Sequence, residues 1–167
     1  LKNYEKALSE ENSENIKALL NIVVVGGGPT GVEVSGTLAE MKRIILPKDY
    51  PELNFESMNI YLVEAAPKVL SAMSEISSQK SKTYLEQLGV KVMLEKFVTD
   101  YNRDRVTLQN GETISTKTLV WAAGIKGNML LGFKDDIWQK GGRIKVNQYH
   151  KVEGYDHIFA IGDIAFM

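Results

Sequence analysis

Apolar and polar positions follow two rhythms along this chain. Ile22, Val23, Val24 and Val25 form a β-branched run without alternation. Such a run predicts a strand covered on both faces, as at the centre of a parallel sheet. Short apolar runs recur at residues 59–63, 90–94, 118–124 ("TLVWAAG") and 157–163 ("HIFAIGD"), with a shorter one at 143–146. Each reads as a further strand, and the 118–124 run as a buried one.

Helical spacing fills the intervals. Residues 1–20 read as a helical lead-in, with Tyr4, Ala7 and Leu8 on one face and Ile16, Leu19 and Leu20 on another, joined by an exposed polar loop at 9–15. After the glycines at 26–31 the helix carries two stripes. The larger is Val34, Leu38, Met41 and Ile45. The smaller, Val32, Gly36 and Ala39, is suited to close packing on a sheet. Pro47 and Pro51 end this helix in an insertion to about Ser57, expected to bulge away from the sheet. Ser74 is placed to cap the next helix, whose expected inner face is Ser81, Tyr84, Leu85 and Leu88, and Gly89 suits its C-terminal end. From 97 to 115 short strand-like pieces alternate with turns at 102–104 and at Asn110-Gly111, which predicts a β-meander. The fold class is therefore α/β: a Rossmann-like parallel sheet with the β-meander on one face and helices on the other.

Composition narrows the chemistry. The 167 residues carry a formal net charge of −1, which gives no basic field for nucleic acid. There is no cysteine, so disulfides, thiolate metal sites and a redox cysteine pair are excluded within this chain. No His, Asp and Glu group has metal-ligand spacing, and no metal site is expected. No apolar run approaches the roughly 18 residues of a spanning helix. The absence of cysteine is compatible with the cytoplasmic setting expected for the chain. The chain starts without Met and ends at Met167 just past an apolar run, so both ends read as interior to a longer protein.

Gly26-x-Gly28-x-x-Gly31 has the spacing of a dinucleotide loop and stands between a buried strand and a helix, the context that its mechanism requires. Gly26 makes the tight turn. Gly28, without a Cβ, lets a pyrophosphate approach the backbone, and Gly31 lets helix and strand pack closely. Pro29 gives up no useful donor at the helix start, while Thr30 and the first helical N–H groups face the phosphates. An acid should follow at the end of the next strand for the ribose hydroxyls. Glu64 stands there, with Ala65 beside it, 33 residues after Gly31 where about 20 are usual. The insertion before Ser57 accounts for the excess. A structural turn, or a methyltransferase-type adenosine site, is the competing reading.

"VVVGGGPTGVEVSGTLAE", "YLVEAAPKVL", "LVWAAGIKGN" and "IFAIGDIA", in that order, resemble the pyridine-nucleotide half of flavoproteins with two dinucleotide domains. Within that superfamily the chain looks most like type II NADH dehydrogenase, the single-chain NADH:quinone oxidoreductase. The resemblance spans about residues 21–165. It implies a helical lead-in from the flavin-binding half at 1–20, an NADH-binding domain at 21–125 and a return segment to the flavin domain at 126–167. It implies NADH and FAD as cofactors and a quinone as acceptor. The whole protein would be a homodimer held peripherally on the inner face of the membrane by a C-terminal anchor outside these residues. Gly162 and Asp163 match the second flavin motif, in which the Asp meets the ribityl region. Glu33 matches a Glu facing the meeting point of nicotinamide and flavin.

Each of these residues also has a plainer reading. Glu33, expected in the first helical turn beside Thr37 and Glu40, can simply answer the helix dipole. Lys68 can reach a phosphate or stay solvated. Val98 can line the adenine pocket or belong to the core. Ala123 and Gly124 can admit a ligand at the sheet edge or merely turn. Trp121 and Trp138 read as packing residues, and His150 and His157 as structural or exposed. Two other functions remain open on sequence: a ferredoxin or disulfide reductase of the same superfamily, and a dinucleotide-binding redox sensor without turnover.

Overall fold

The computed structural model describes residues 1–167, which form two compact units, Leu1–Ala123 and Gly124–Met167. The first holds a four-stranded parallel sheet built from β1 (Ile22–Val25), β2 (Ile60–Val63), β3 (Val90–Met93) and a last strand, Thr118–Trp121, in the spatial order β3, β2, β1, last strand. β1 is thus central, as its unbroken apolar run predicts, and all four of its residues are buried. Its alternate side chains serve two cores, because successive strand residues point to opposite faces. Ile22 and Val24 join Ile60, Leu62 and Val90 on the helical face. Val23 and Val25 join Val63 on the other face, against Val98, Val106, Leu108 and Ile114.

Those last residues come from the meander, an antiparallel sheet of β4 (Val98–Tyr101), β5 (Arg105–Leu108) and β6 (Thr113–Ser115). Its turns fall at Arg103 (φ 74°) and Gly111 (φ 81°), as the turn residues predict. The last strand of the parallel sheet is then β7 (Thr118–Trp121). It lies at the sheet edge and is only half buried, contrary to the expectation of a covered strand. Trp121 is 60% exposed and is not a packing residue.

On the helical face lie α1 (Lys2–Leu8), α2 (Ser13–Leu20), α3 (Pro29–Ile44) and, after the short α4 (Leu46–Asp49), α5 (Glu75–Gln87). The row of α3 buried on the sheet is Gly31, Ser35 and Ala39, four residues apart. Val32, Val34 and Leu38 flank it, partly buried. Ala39 thus lies on the sheet as expected, while Gly31 and Ser35 take the places expected for Val32 and Gly36. The insertion does not bulge away. Leu46, Phe55 and Met58 are buried in the core, and the Tyr4 ring of α1 packs tilted against Tyr50 (5.7 Å between ring centroids) and edge-on to Phe55 (5.9 Å). Aromatic burial thus recruits a segment whose prolines had suggested a loose excursion. α5 starts at the Ser74 cap and ends before Gly89 (φ 88°). It buries Ser78 and Leu85 and turns Tyr84 outward.

A buried polar cluster closes the N-terminal ends of the strands. The Asn21 side chain accepts from the Asn59 N–H (2.9 Å) and donates to the Ser115 carbonyl (3.0 Å), while the Thr116 hydroxyl donates to the Asn21 carbonyl (2.7 Å). These bonds satisfy backbone groups at the strand starts that would otherwise be buried unpaired.

The second unit is small. β8 (Trp138–Gln139) and β9 (Arg143–Lys145) are antiparallel, and β10 (Ala165–Phe166) runs parallel to β9. Ile137, Ile144, Val146, Val152 and Ala160 are its core, with Phe133 set edge-on to Trp138 and Tyr155. The expected strand at 157–163 does not form. One bridge pairs Phe159 with Lys151, and Gly162 (φ 76°) then takes the backbone out of extended geometry into a single turn, Gly162–Ile164.

Candidate functional site

Pairing of Val25 with Val63 and Trp121, and of Val63 with Met93, brings the C-terminal ends of all four parallel strands level. The chain leaves β1 on one side toward β2, and β7 lies on the other, so the loop after β1 sits where the strand order reverses. Open α/β sheets bind ligands at that place.

Each glycine of the loop has its own reason there. Gly26 has φ 108°, and a Cβ on it would stand 2.8 Å from the Ala123 nitrogen. A Cβ on Gly31 would stand 1.8 Å from the Gly26 carbonyl oxygen, so that residue sets the approach of α3 to β1. A Cβ on Gly28 would meet nothing within 4 Å. The space in front of Gly28 is open, and it faces the N-terminus of a 16-residue helix that no side chain caps. Pro29 and Thr30 are exposed at that end. Backbone donors and the positive end of the helix dipole are thus presented to an anion. This chain's residues fit a dinucleotide pyrophosphate there, since the space a Cβ would fill is the space the phosphates need.

Glu64 stands at the end of β2 with its carboxylate turned back to the loop. One oxygen accepts from the Gly27 N–H and the other from the Ala66 N–H (2.6 Å). Each oxygen keeps a second lone pair for a ribose hydroxyl. A small cavity of about 80 Å³ opens beside it, lined by Gly26, Glu64, Ala65, Lys96, Phe97, Val98, Trp121 and Ala123 among others. Val98 is both a core residue and a wall of this cavity. A larger hollow, about 420 Å³, lies at the opposite end of the strands by Glu14, Asp104, Arg105 and Lys117. It has no glycine loop, and its Lys117 is already paired with Asp104 (3.5 Å).

The first unit therefore gathers Gly26, Gly28, Pro29, Thr30, Gly31, Glu64, Ala65, Val98 and Ala123 at one sheet edge. Lys68 lies nearby in sequence but pairs with Glu75 (2.9 Å). Glu33 is exposed and begins the second turn of α3, not the first; its carbonyl accepts from the Thr37 hydroxyl (2.9 Å). Gly124 (φ 70°) and Gly162 and Asp163, in the exposed turn, belong to the second unit. Sequence reading missed Gly27, Lys96, Phe97 and the cavity role of Trp121. Gly27 had a signal: it is an extra glycine that the loop spacing does not call for.

Comparison with known proteins gives the chain's relatives. Over 170 residues the chain is 31% identical to the type II NADH:quinone oxidoreductase Ndh of Mycobacterium tuberculosis, covering 97% of this chain and 37% of that protein. It is 35% identical over 162 residues to the type II NADH:quinone oxidoreductase of Staphylococcus aureus, covering 94% and 38%. The structure of NDH2 from Plasmodium falciparum in complex with NADH superposes with a TM-score of 0.85 at 26% identity, over 98% of this chain and 36% of that one. The chain thus spans little more than a third of the length of these relatives. The family model of pyridine nucleotide-disulphide oxidoreductases matches residues 3–167, and the chain belongs to that family.

Proposed function

We propose that this chain is the NADH-holding part of a flavoprotein that moves a hydride from NADH to FAD and passes the electrons to a quinone. The observation that carries the reading is the open space before Gly28 at an uncapped helix N-terminus, with an acid at the end of the adjacent strand. The relatives support the acceptor: those named above are quinone oxidoreductases, and the Plasmodium neighbour was solved with NADH.

In this reading residues 26–31 and the first turn of α3 hold the pyrophosphate. Glu64 and Ala65 take the adenosine ribose, and the cavity at Val98 takes the adenine side. Lys68 would have to leave Glu75 to offer its cation to a phosphate or the ribose. Ala123 and Gly124 let the nicotinamide end pass the edge of β7, and Glu33 orients it from α3. Gly162 and Asp163 contribute to the flavin's ribityl side. The flavin supplies the hydride acceptor; the protein supplies orientation and exclusion of water. A homodimeric whole protein, peripheral on the inner face of the membrane, completes the proposal from resemblance. No helix of this chain is long and apolar enough to cross a membrane.

The test is anaerobic reduction of the whole protein. NADH should bleach the flavin's visible absorbance, and a soluble quinone should restore it. Restoration by ferredoxin or by a disulfide substrate, and not by quinone, would contradict the assigned acceptor.

A further inference from the structure

Three consecutive glycines stand in the loop, while the dinucleotide spacing explains only the outer two. Gly27 has no positive φ, so backbone conformation does not require it to be glycine. Its surroundings do. A Cβ there would stand 2.9 Å from the Glu64 Cγ and 3.0 Å from both its Cβ and Oε2. Glu64 lies directly over the Gly27 backbone.

The bonds explain why. The Gly27 N–H donates to one Glu64 oxygen, and the other oxygen accepts from the Ala66 N–H (2.6 Å). The Gly27 carbonyl in turn accepts from the Leu70 N–H (2.7 Å). The Glu64 N–H itself donates to the Met93 carbonyl (2.9 Å), which fixes the acid to the neighbouring strand. Gly27 is buried, so its N–H needs an acceptor inside the protein, and only the carboxylate provides one.

We propose that Glu64 is a positioning residue for the glycine loop: it holds residues 26–28 in the ligand-ready shape before any nucleotide arrives. Gly27 is glycine to admit it. This rests on the dinucleotide reading above and adds a second task to an acid expected only to meet the ribose. The carboxylate does both because each oxygen gives one lone pair to the backbone and keeps one facing outward. Binding then needs no reordering of the loop, which removes part of the entropy loss on association.

Amide hydrogen exchange of the ligand-free chain, read residue by residue by NMR, tests the proposal. In Glu64→Ala the Gly27 and Ala66 amides should exchange at least about tenfold faster, the factor expected for a lost charge-assisted hydrogen bond. The amides of Val24 and Leu62 should keep their protection, which shows that the sheet is intact. Glu64→Gln, which retains one carbonyl acceptor, should restore part of the protection at one of the two amides. Unchanged Gly27 exchange in Glu64→Ala, with the sheet protected, would overturn the proposal. Titration of the same samples with NADH is read separately. Wild-type chain that fails to bind, while Gly27 protection still depends on Glu64, counts against the nucleotide reading and upholds the tie.

Discussion

A Cβ on Gly31 would lie 1.8 Å from the carbonyl oxygen of Gly26, whereas a Cβ on Gly28, three residues earlier, would meet no atom of the chain. Two glycines of one motif thus stand in different surroundings: the fold itself requires Gly31, and the proposed ligand would require Gly28. Gly31→Ala should force α3 off β1 and destabilise the protein by about 1–3 kcal/mol or more, the range for overpacking a tight contact. Gly28→Ala should leave the urea midpoint within the error of wild type. Equal losses of stability in the two variants would refute this division.

Ser35 offers a test of the helix–sheet contact. Its hydroxyl is fully buried against the sheet and has no hydrogen-bond partner. Ser35→Ala removes an unpaired polar atom and adds helix propensity, so stability should rise by about 0.5–2 kcal/mol. Thermal unfolding reads this directly, and a lowered Tm would mean that the hydroxyl has an acceptor.

Asn21 gives the opposite case. Its side chain joins the starts of β1 and β2 to the carbonyl of Ser115. Asn21→Ala leaves the Asn59 N–H and the Ser115 carbonyl short of partners, and about 1–3 kcal/mol of stability should be lost. Urea unfolding with an unchanged m-value is the expected form of the result. A loss below about 0.5 kcal/mol, the scale of an ordinary surface substitution, would mean that water replaces both bonds.

With Glu64 at the ribose as proposed, the chain should prefer NADH to NADPH. A 2′-phosphate would meet a carboxylate fixed by two backbone donors, which cannot swing aside without leaving the Gly27 N–H unpaired. NADH should therefore bind more tightly than NADPH by about 1–3 kcal/mol, measured by calorimetric titration with each. Lys96 also lines the cavity and is the cation that could soften the discrimination, although it is drawn toward Glu112 (3.5 Å). Equal affinities would remove Glu64 from the ribose site.

How much of this was readable in the sequence varied with the physical source of the signal. The β1 run, the loop glycines, the Ser74 cap and the Asn110-Gly111 turn are local: each residue's own conformational or burial preference decides its place. Ser35 at the centre of the sheet-facing row, the docking of Phe55 and Tyr50 on Tyr4, and the exposed edge at Trp121 depend on partners distant in sequence, and periodicity alone cannot supply them. The run at 157–163 misled for a related reason. Its apolar character suited a strand, but the turn at Gly162 and the lack of a neighbouring strand beyond one bridge decided otherwise. At the site, the acid and the motif glycines are legible from spacing and Gly27 is marked only as an extra glycine, while Lys96 and Phe97 emerge once the ends of β1, β2 and β3 are aligned.

The central claim is that the loop at 26–31 holds the pyrophosphate of NADH. Calorimetric titration of NADH into the wild-type chain and into Gly28→Ala, with their stabilities matched by urea unfolding, addresses it most directly. Saturable one-to-one binding by wild type, weakened at least about tenfold in a Gly28→Ala protein of unchanged stability, is the predicted result, since one lost backbone–phosphate hydrogen bond is worth about that much. Identical binding by the two proteins, or none by wild type, would reduce the loop to a tight turn between β1 and α3.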